Sequence, residues 1–280
     1  KAYLITINGF KGGHSGMDIH LGRGNANKLM NRLLYAAMQK FDIRIGSIDG
    51  GGLRNAIPRE SFSKIALPEA QCDAFEHFIS QMQDVYDSEY RITDPEGDLN
   101  LQTAHISKAM SVEDSRKLIA AIYGVPNGIY RMSPDINDLV QTSNNLARVL
   151  VKEGIYNAQC LTRSSVDSEK MDLANAIKAI FELIGARVDL AGSYPGWAPN
   201  PRSKVVDMMA GLYREMFQSE PLVNACHAGL ECGIIGQNYP EMEMISFGPN
   251  IRGAHSPDEK VQVSSVQKTW RLLVETLAKI

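Results

Sequence analysis

The chain has six histidines, and three of them, His14, His227 and His255, sit among glycines or in turns. His255 lies in Gly253-Ala-His-Ser-Pro257, just after a strand expected to end at Phe247. Ligands of open parallel sheets gather beyond the carboxyl ends of strands. A histidine held between Gly and Pro suits a metal ligand or a general base, and equally a turn residue capping a carbonyl. His227-Ala-Gly-Leu-Glu231 places an imidazole and a carboxylate four residues apart, on one face if the segment is helical. Together with His255 they make the donor set of some catalytic zinc sites, although many surface helices share the spacing. His14 falls in Lys11-Gly-Gly-His-Ser-Gly16, with four glycines within residues 9–16. Glycines permit positive φ and close approach of another surface, and a donor imidazole there can stabilise an oxyanion. A plain tight turn explains the same residues, and the G-x-G-x-x-G nucleotide spacing is absent.

Arg163 ends a strand and is followed by Ser164-Ser165. Its guanidinium is a fork for a substrate carboxylate, or else a surface ion-pair partner. Asn55 stands between a triple glycine and Pro58, where its amide can bind a carbonyl or carboxylate or serve its own turn. His20, His77 and His105 have ordinary settings, and no Ser-His-Asp or Cys-His order is persuasive.

The elements that must position these residues fall into two patterns. Ala2–Ile7 reads as a strand, residues 25–39 as an amphipathic helix, 41–48 and 61–67 as strands, and 69–86 as a helix. That order is a ferredoxin-like split βαβ. After Asp94-Pro-Glu-Gly97 a similar order is expected: a strand near 101–109, a helix over 112–123, strands at 146–151 and 158–162, and a helix over 169–184. Asn55 and Asn145 hold matching places before the middle strands of the two halves. Past the proline-rich stretch 194–201 the pattern changes to alternating helix and strand: helix 203–217, strand 222–225, a helical turn at 230–235, strand 242–247 and a last helix over 264–278. Two strands are too few for a core, so this region is expected to be half of an α/β layer.

The whole is α/β in class: two ferredoxin-like α+β lobes of about 1–92 and 98–194, and part of an α/β layered domain over 195–280. With 280 residues and a net charge of −3, the composition is that of a folded protein and gives no support to a nucleic-acid or membrane partner. No apolar run reaches the ~20 residues of a membrane span. Four scattered cysteines argue against a disulfide framework, which makes the cytoplasm the default. Lys1 is not an initiator methionine and a strand begins beside it, so the chain is expected to be a piece of something longer.

Lys11-Gly-Gly-His-Ser-Gly16, Gly50-Gly-Gly-Leu-Arg-Asn-Ala-Ile-Pro58, His227-Ala-Gly-Leu-Glu-Cys-Gly233 and Ser246-Phe-Gly-Pro-Asn-Ile-Arg-Gly-Ala-His-Ser-Pro257 together resemble the aminoacyl-histidine dipeptidases, zinc peptidases of the M20 family. The resemblance implies an α/β zinc-peptidase domain interrupted by a lid, with the lid over residues 1–194, which can also form a homodimer, and a C-terminal segment of the catalytic domain over 195–280. It implies two zinc ions per subunit, with cobalt or manganese as alternatives, and His255 as the one metal ligand in this chain. The remaining ligands would precede Lys1, so the chain alone would be inactive. It further implies that His14 stabilises the oxyanion, that Asn55 and Arg163 bind the substrate's carboxyl end, and that His227, Gly229 and Glu231 contact the substrate. The implied substrate is a dipeptide ending in histidine, β-alanyl-histidine included. A related peptidase or aminoacylase with another substrate, and a non-catalytic lid or dimerisation module, are the alternatives.

Overall fold

A computed structural model describes residues 1–200, 202–225, 230–252 and 259–280. Residues Lys1–Ser193 make one unit, and a second is drawn from residues 194–280.

The first unit starts with β1 (Ala2–Asn8), whose residues Tyr3, Ile5 and Ile7 alternate into the core, as period-two patterning requires. The short β2 (Gly13–His14) follows, then α1 (Ala26–Met38). Asn25 caps α1 by accepting the Lys28 N–H at 3.1 Å, which satisfies one of the helix's orphan donors. Leu29, Met30, Leu33, Leu34 and Ala37 form the buried face of α1. Next come β3 (Arg44–Gly51), β4 (Ala56–Ile57), β5 (Ser61–Ala66), α2 (Cys72–Tyr90) and β6 (Asp98–Thr103). The strands pair antiparallel in the order β6-β1-β5-β3, the ferredoxin-like arrangement.

The strand expected to open a second repeat instead closes the first. It spans Asp98–Thr103, and β6 pairs with β1 along its length, Tyr3 opposite Thr103 through Asn8 opposite Asp98. Edge pairing of this kind depends on a distant partner, which local patterning cannot reveal. The second lobe therefore has α3 (Val112–Gly124), β7 (Gly128–Met132), β8 (Val140–Lys152), β9 (Ile155–Ser164) and α4 (Asp167–Glu182). β7 has no counterpart in the sequence expectation.

The lobes share one seven-stranded sheet, because β3 also pairs with β8. Along one edge β8 is paired with β9 from Thr142 to Lys152, with a register shift between Leu146 and Arg148. Its other edge is divided, with residues 140–144 facing β7 and residues 148–151 facing β3. The main hydrophobic core runs from Tyr3 to Phe181 and takes side chains from both lobes. Lys28 ties the helices: its ammonium donates to the carbonyls of Ile122, Tyr123 and Val125 at 3.2, 2.9 and 2.9 Å. These are carbonyls at the end of α3, where a cation is favoured, while burial pulls the Lys28 pKa down to about 8.

The second unit contains α5 (Lys204–Phe217), α6 (Glu231–Asn238), a two-residue pairing of β10 (Ile251–Arg252) with β11 (Lys260–Val261), and α7 (Val263–Lys279). Met209 and Leu212 of α5 pack with Leu272 of α7. The strands expected at 222–225 and 242–247 do not form. A strand is defined by its ladder, and neither segment has a pairing partner among the described residues. Among those residues no helix is long and apolar enough to cross a membrane, and Cys72, Cys160 and Cys232 are not in disulfides.

Gly51 allows the two lobes to join. Its φ is +71°, and a Cβ there would stand 1.9 Å from the Ala147 carbonyl oxygen. Gly51→Ala is therefore expected to lower unfolding free energy by about 3 kcal/mol or more through clash and strain. Urea denaturation checks this, and a loss below about 1 kcal/mol contradicts it.

Candidate functional site

His14 lies on β2, which pairs with β4 so that His14 faces Ala56 and Gly13 faces Ile57. The next residue extends the contact, the Ser15 N–H donating to the Asn55 carbonyl at 2.8 Å. The chain then turns back on the imidazole. The backbone N–H groups of Gly16 and Met17 donate to His14 Nδ1 at 3.2 and 3.0 Å. Nδ1 is thus an acceptor, and the ring proton is assigned to Nε2 by this hydrogen-bond pattern.

Arg163 reaches the same place from the end of β9, where it is opposite Ser143 of β8. Only 7% of it is exposed, and its Nε donates to Ser15 Oγ at 3.4 Å. A Cβ on Gly16 would lie 3.1 Å from His14 Cε1 and 3.4 Å from Arg163 Nε, so a glycine lets imidazole and guanidinium approach one another. Asn55 is half-buried in the adjoining turn. That turn is pinned by Asn145, whose amide nitrogen donates to the carbonyls of Arg54 at 3.2 Å and Ala56 at 2.7 Å. Asn25 in turn donates to Asn145 Oδ1 at 3.1 Å. The structure accordingly brings His14, Asn55 and Arg163 together from three separate segments.

The end of β9 is secured by Glu169 on α4. Its carboxylate accepts from Gln141 at 2.8 Å, from Thr142 at 2.7 Å and from Arg131. Thr142 also bonds the Ser164 hydroxyl at 2.8 Å. Burial alone would raise the Glu169 pKa, but the hydrogen bonds from Gln141 and Thr142 and the Arg131 charge outweigh it and hold the group below its ordinary value.

Glu231 opens α6 in the second unit and is exposed. His227, Gly229 and His255 lie outside the described residues. Among the described residues no group of three His, Cys, Asp or Glu side chains can hold a metal ion. Ser15, Asp18, Asn145 and Glu169 were not foreseen as parts of the site. Asn25, just ahead of a helix, carried a capping signal, and Asn145 had only its place matching Asn55; Ser15, Asp18 and Glu169 gave none, because their partners are set by the tertiary fold.

Residues 5–94, in the first lobe, match the peptidase dimerisation domain family of the M20 type. Over its whole length the chain is related to dipeptidases. It is 38% identical over 281 residues to the cytosol non-specific dipeptidase of Escherichia coli (strain K12), a match covering 100% of this chain and 58% of that protein. The crystal structure of aminoacylhistidine dipeptidase from Vibrio alginolyticus matches with a TM-score of 0.89 and 36% identity, over 100% of this chain and 57% of that one. The chain thus spans little more than half the length of these relatives.

Glu169 has a pH signature. Its folded pKa is depressed from 4.5, so its stabilisation is present above the unfolded value and lost as pH falls through the folded one. Glu169→Gln should be less stable than wild type at pH 7, with the difference shrinking as pH drops below about 4.5. Parallel urea titrations at pH 7 and in acid check this; a difference independent of pH contradicts it.

Proposed function

We propose that this chain is the substrate-gripping lid, residues 1–194, and the C-terminal catalytic segment, residues 195–280, of a dipeptidase. The observation that carries the reading is an imidazole with Nδ1 fixed as acceptor, beside a buried guanidinium brought in from the end of β9. Two relatives named as dipeptidases support it. In this reading His14 donates its Nε2–H to the scissile carbonyl as it becomes an oxyanion. Such a donor is typically worth about 10²–10³ in kcat. Arg163 and Asn55 take the carboxylate end of the dipeptide, where the planar guanidinium gives geometry as well as charge. His227, Gly229 and Glu231 are assigned to the substrate from the catalytic side.

Metal dependence, with two zinc ions per subunit and His255 as a ligand, belongs to the proposal through kinship. Among the described residues no three His, Cys, Asp or Glu side chains form a donor group for a metal. Val263, Trp270 and Leu277 of α7 are 69%, 64% and 64% exposed, which supports reading 195–280 as part of a larger domain. A homodimer through the lid, supported by the dimerisation-domain match, and a cytoplasmic setting complete the proposal.

The substrate we favour is a dipeptide ending in histidine. A broader range of dipeptides is the second reading, favoured by the non-specific dipeptidase relative. Assays of the intact protein with zinc on free and C-terminally amidated dipeptides test both. Free Xaa-His peptides should be cut fastest and amidated ones poorly, and equal rates on all free dipeptides would favour the broader reading. His14→Ala should lower kcat by about 10²–10³ with KM little changed. Arg163→Lys should raise KM about tenfold on free dipeptides only. Residues 1–280 alone should be inactive, and an intact protein that leaves every dipeptide uncut contradicts the proposal.

A further inference from the structure

We infer that Asp18 is a positioning residue that fixes the orientation and tautomer of His14; the inference rests on the proposed role of His14 as a hydrogen-bond donor. Asp18 holds His14 at both ends of its backbone. Asp18 Oδ2 accepts the His14 N–H at 2.8 Å, and the Asp18 N–H donates to the His14 carbonyl at 2.9 Å. The turn closed in this way contains Gly16 and Met17, whose N–H groups are the two donors to Nδ1. The imidazole is therefore oriented by its own turn, and no carboxylate is needed on Nδ1 to set the tautomer.

The surrounding residues are fitted to that carboxylate. Gly13 has φ +137°, and a Cβ there would stand 2.6 Å from Asp18 Oδ2 and 2.8 Å from Arg23 Nη1. Arg23 Nη1 donates to the Gly12 carbonyl at 2.7 Å and lies 3.9 Å from Asp18 Oδ2. Gly12, Gly13, Asp18 and Arg23 thus form a clamp around the His14 backbone. A turn held in this way keeps Nε2–H aimed without reorganisation during the reaction, which is where a preformed donor gains its advantage.

The tautomer is read by two-bond nitrogen–proton correlation on the intact protein labelled with 15N-histidine, with His14→Gln assigning the signal. Wild type should show the Nε2–H pattern. Asp18→Asn, which keeps an oxygen acceptor for the His14 N–H, should retain that pattern and most of the activity. Asp18→Ala should give averaged ring signals and a kcat about ten- to hundredfold lower, with KM within about twofold. Circular dichroism of both variants checks that they fold, and Asp18→Asn carries the test if the alanine variant does not. An Nδ1–H pattern in wild type, an unchanged pattern in Asp18→Ala, or loss of the pattern in folded Asp18→Asn overturns the inference. If the pattern changes as expected but wild type hydrolyses no dipeptide, the inference stands and only the functional reading fails.

Discussion

A gap in a β-ladder governs how this structure is built. β8 passes from one partner to another along the same edge, from β7 at residues 140–144 to β3 at residues 148–151. Between them, on that edge, the backbone of Leu146 is buried with no strand beside it, and unpaired buried peptide groups are costly. Asparagine side chains fill the place. Asn127 Oδ1 accepts the Leu146 N–H at 2.9 Å, and the amides of Asn25 and Asn27 donate to its carbonyl at 3.2 and 3.3 Å. An asparagine amide offers the same donor and acceptor as a peptide bond, so three of them act as a short substitute strand.

The same cluster positions the candidate site. Asn25 begins α1, bonds Asn127 and Asn145, and so ties the helix to the sheet at the gap. Asn145 then holds the turn that carries Asn55, and Asn55 holds Ser15 beside His14 and Arg163. The strand residues from Val140 to Asn145 are all buried, although five of the six are polar. That is tolerable only because neighbouring segments supply partners. Fold and site are stabilised by one polar network, in which a change at the gap should propagate to the histidine loop.

Much of this could be read from residue order. The helical faces of α1 to α4 and the β-branched content of β1 are local signals, and they located those elements to within a few residues. The glycine-rich loop pointed to His14, and the strand end pointed to Arg163. What escaped was whatever depended on a distant partner. β6 joins β1 across the sheet, β7 completes an edge, and Asp18 and Ser15 acquire their roles only when the loop folds against β4. The segments 222–225 and 242–247 have strand-like composition but no ladder among the described residues, and β-propensity without pairing does not make a strand. His227, Gly229 and His255 lie outside the described residues.

Hydrogen exchange in Asn145→Ala tests the central claim most directly. If the asparagine network positions the site, the Ser15 amide, bonded to the Asn55 carbonyl, should exchange about tenfold faster or more, the scale of one or two lost hydrogen bonds. Amides of β1 and β5, far from the gap along the sheet, should keep their protection. Unchanged protection at Ser15, or a uniform loss across the whole unit, would contradict the account.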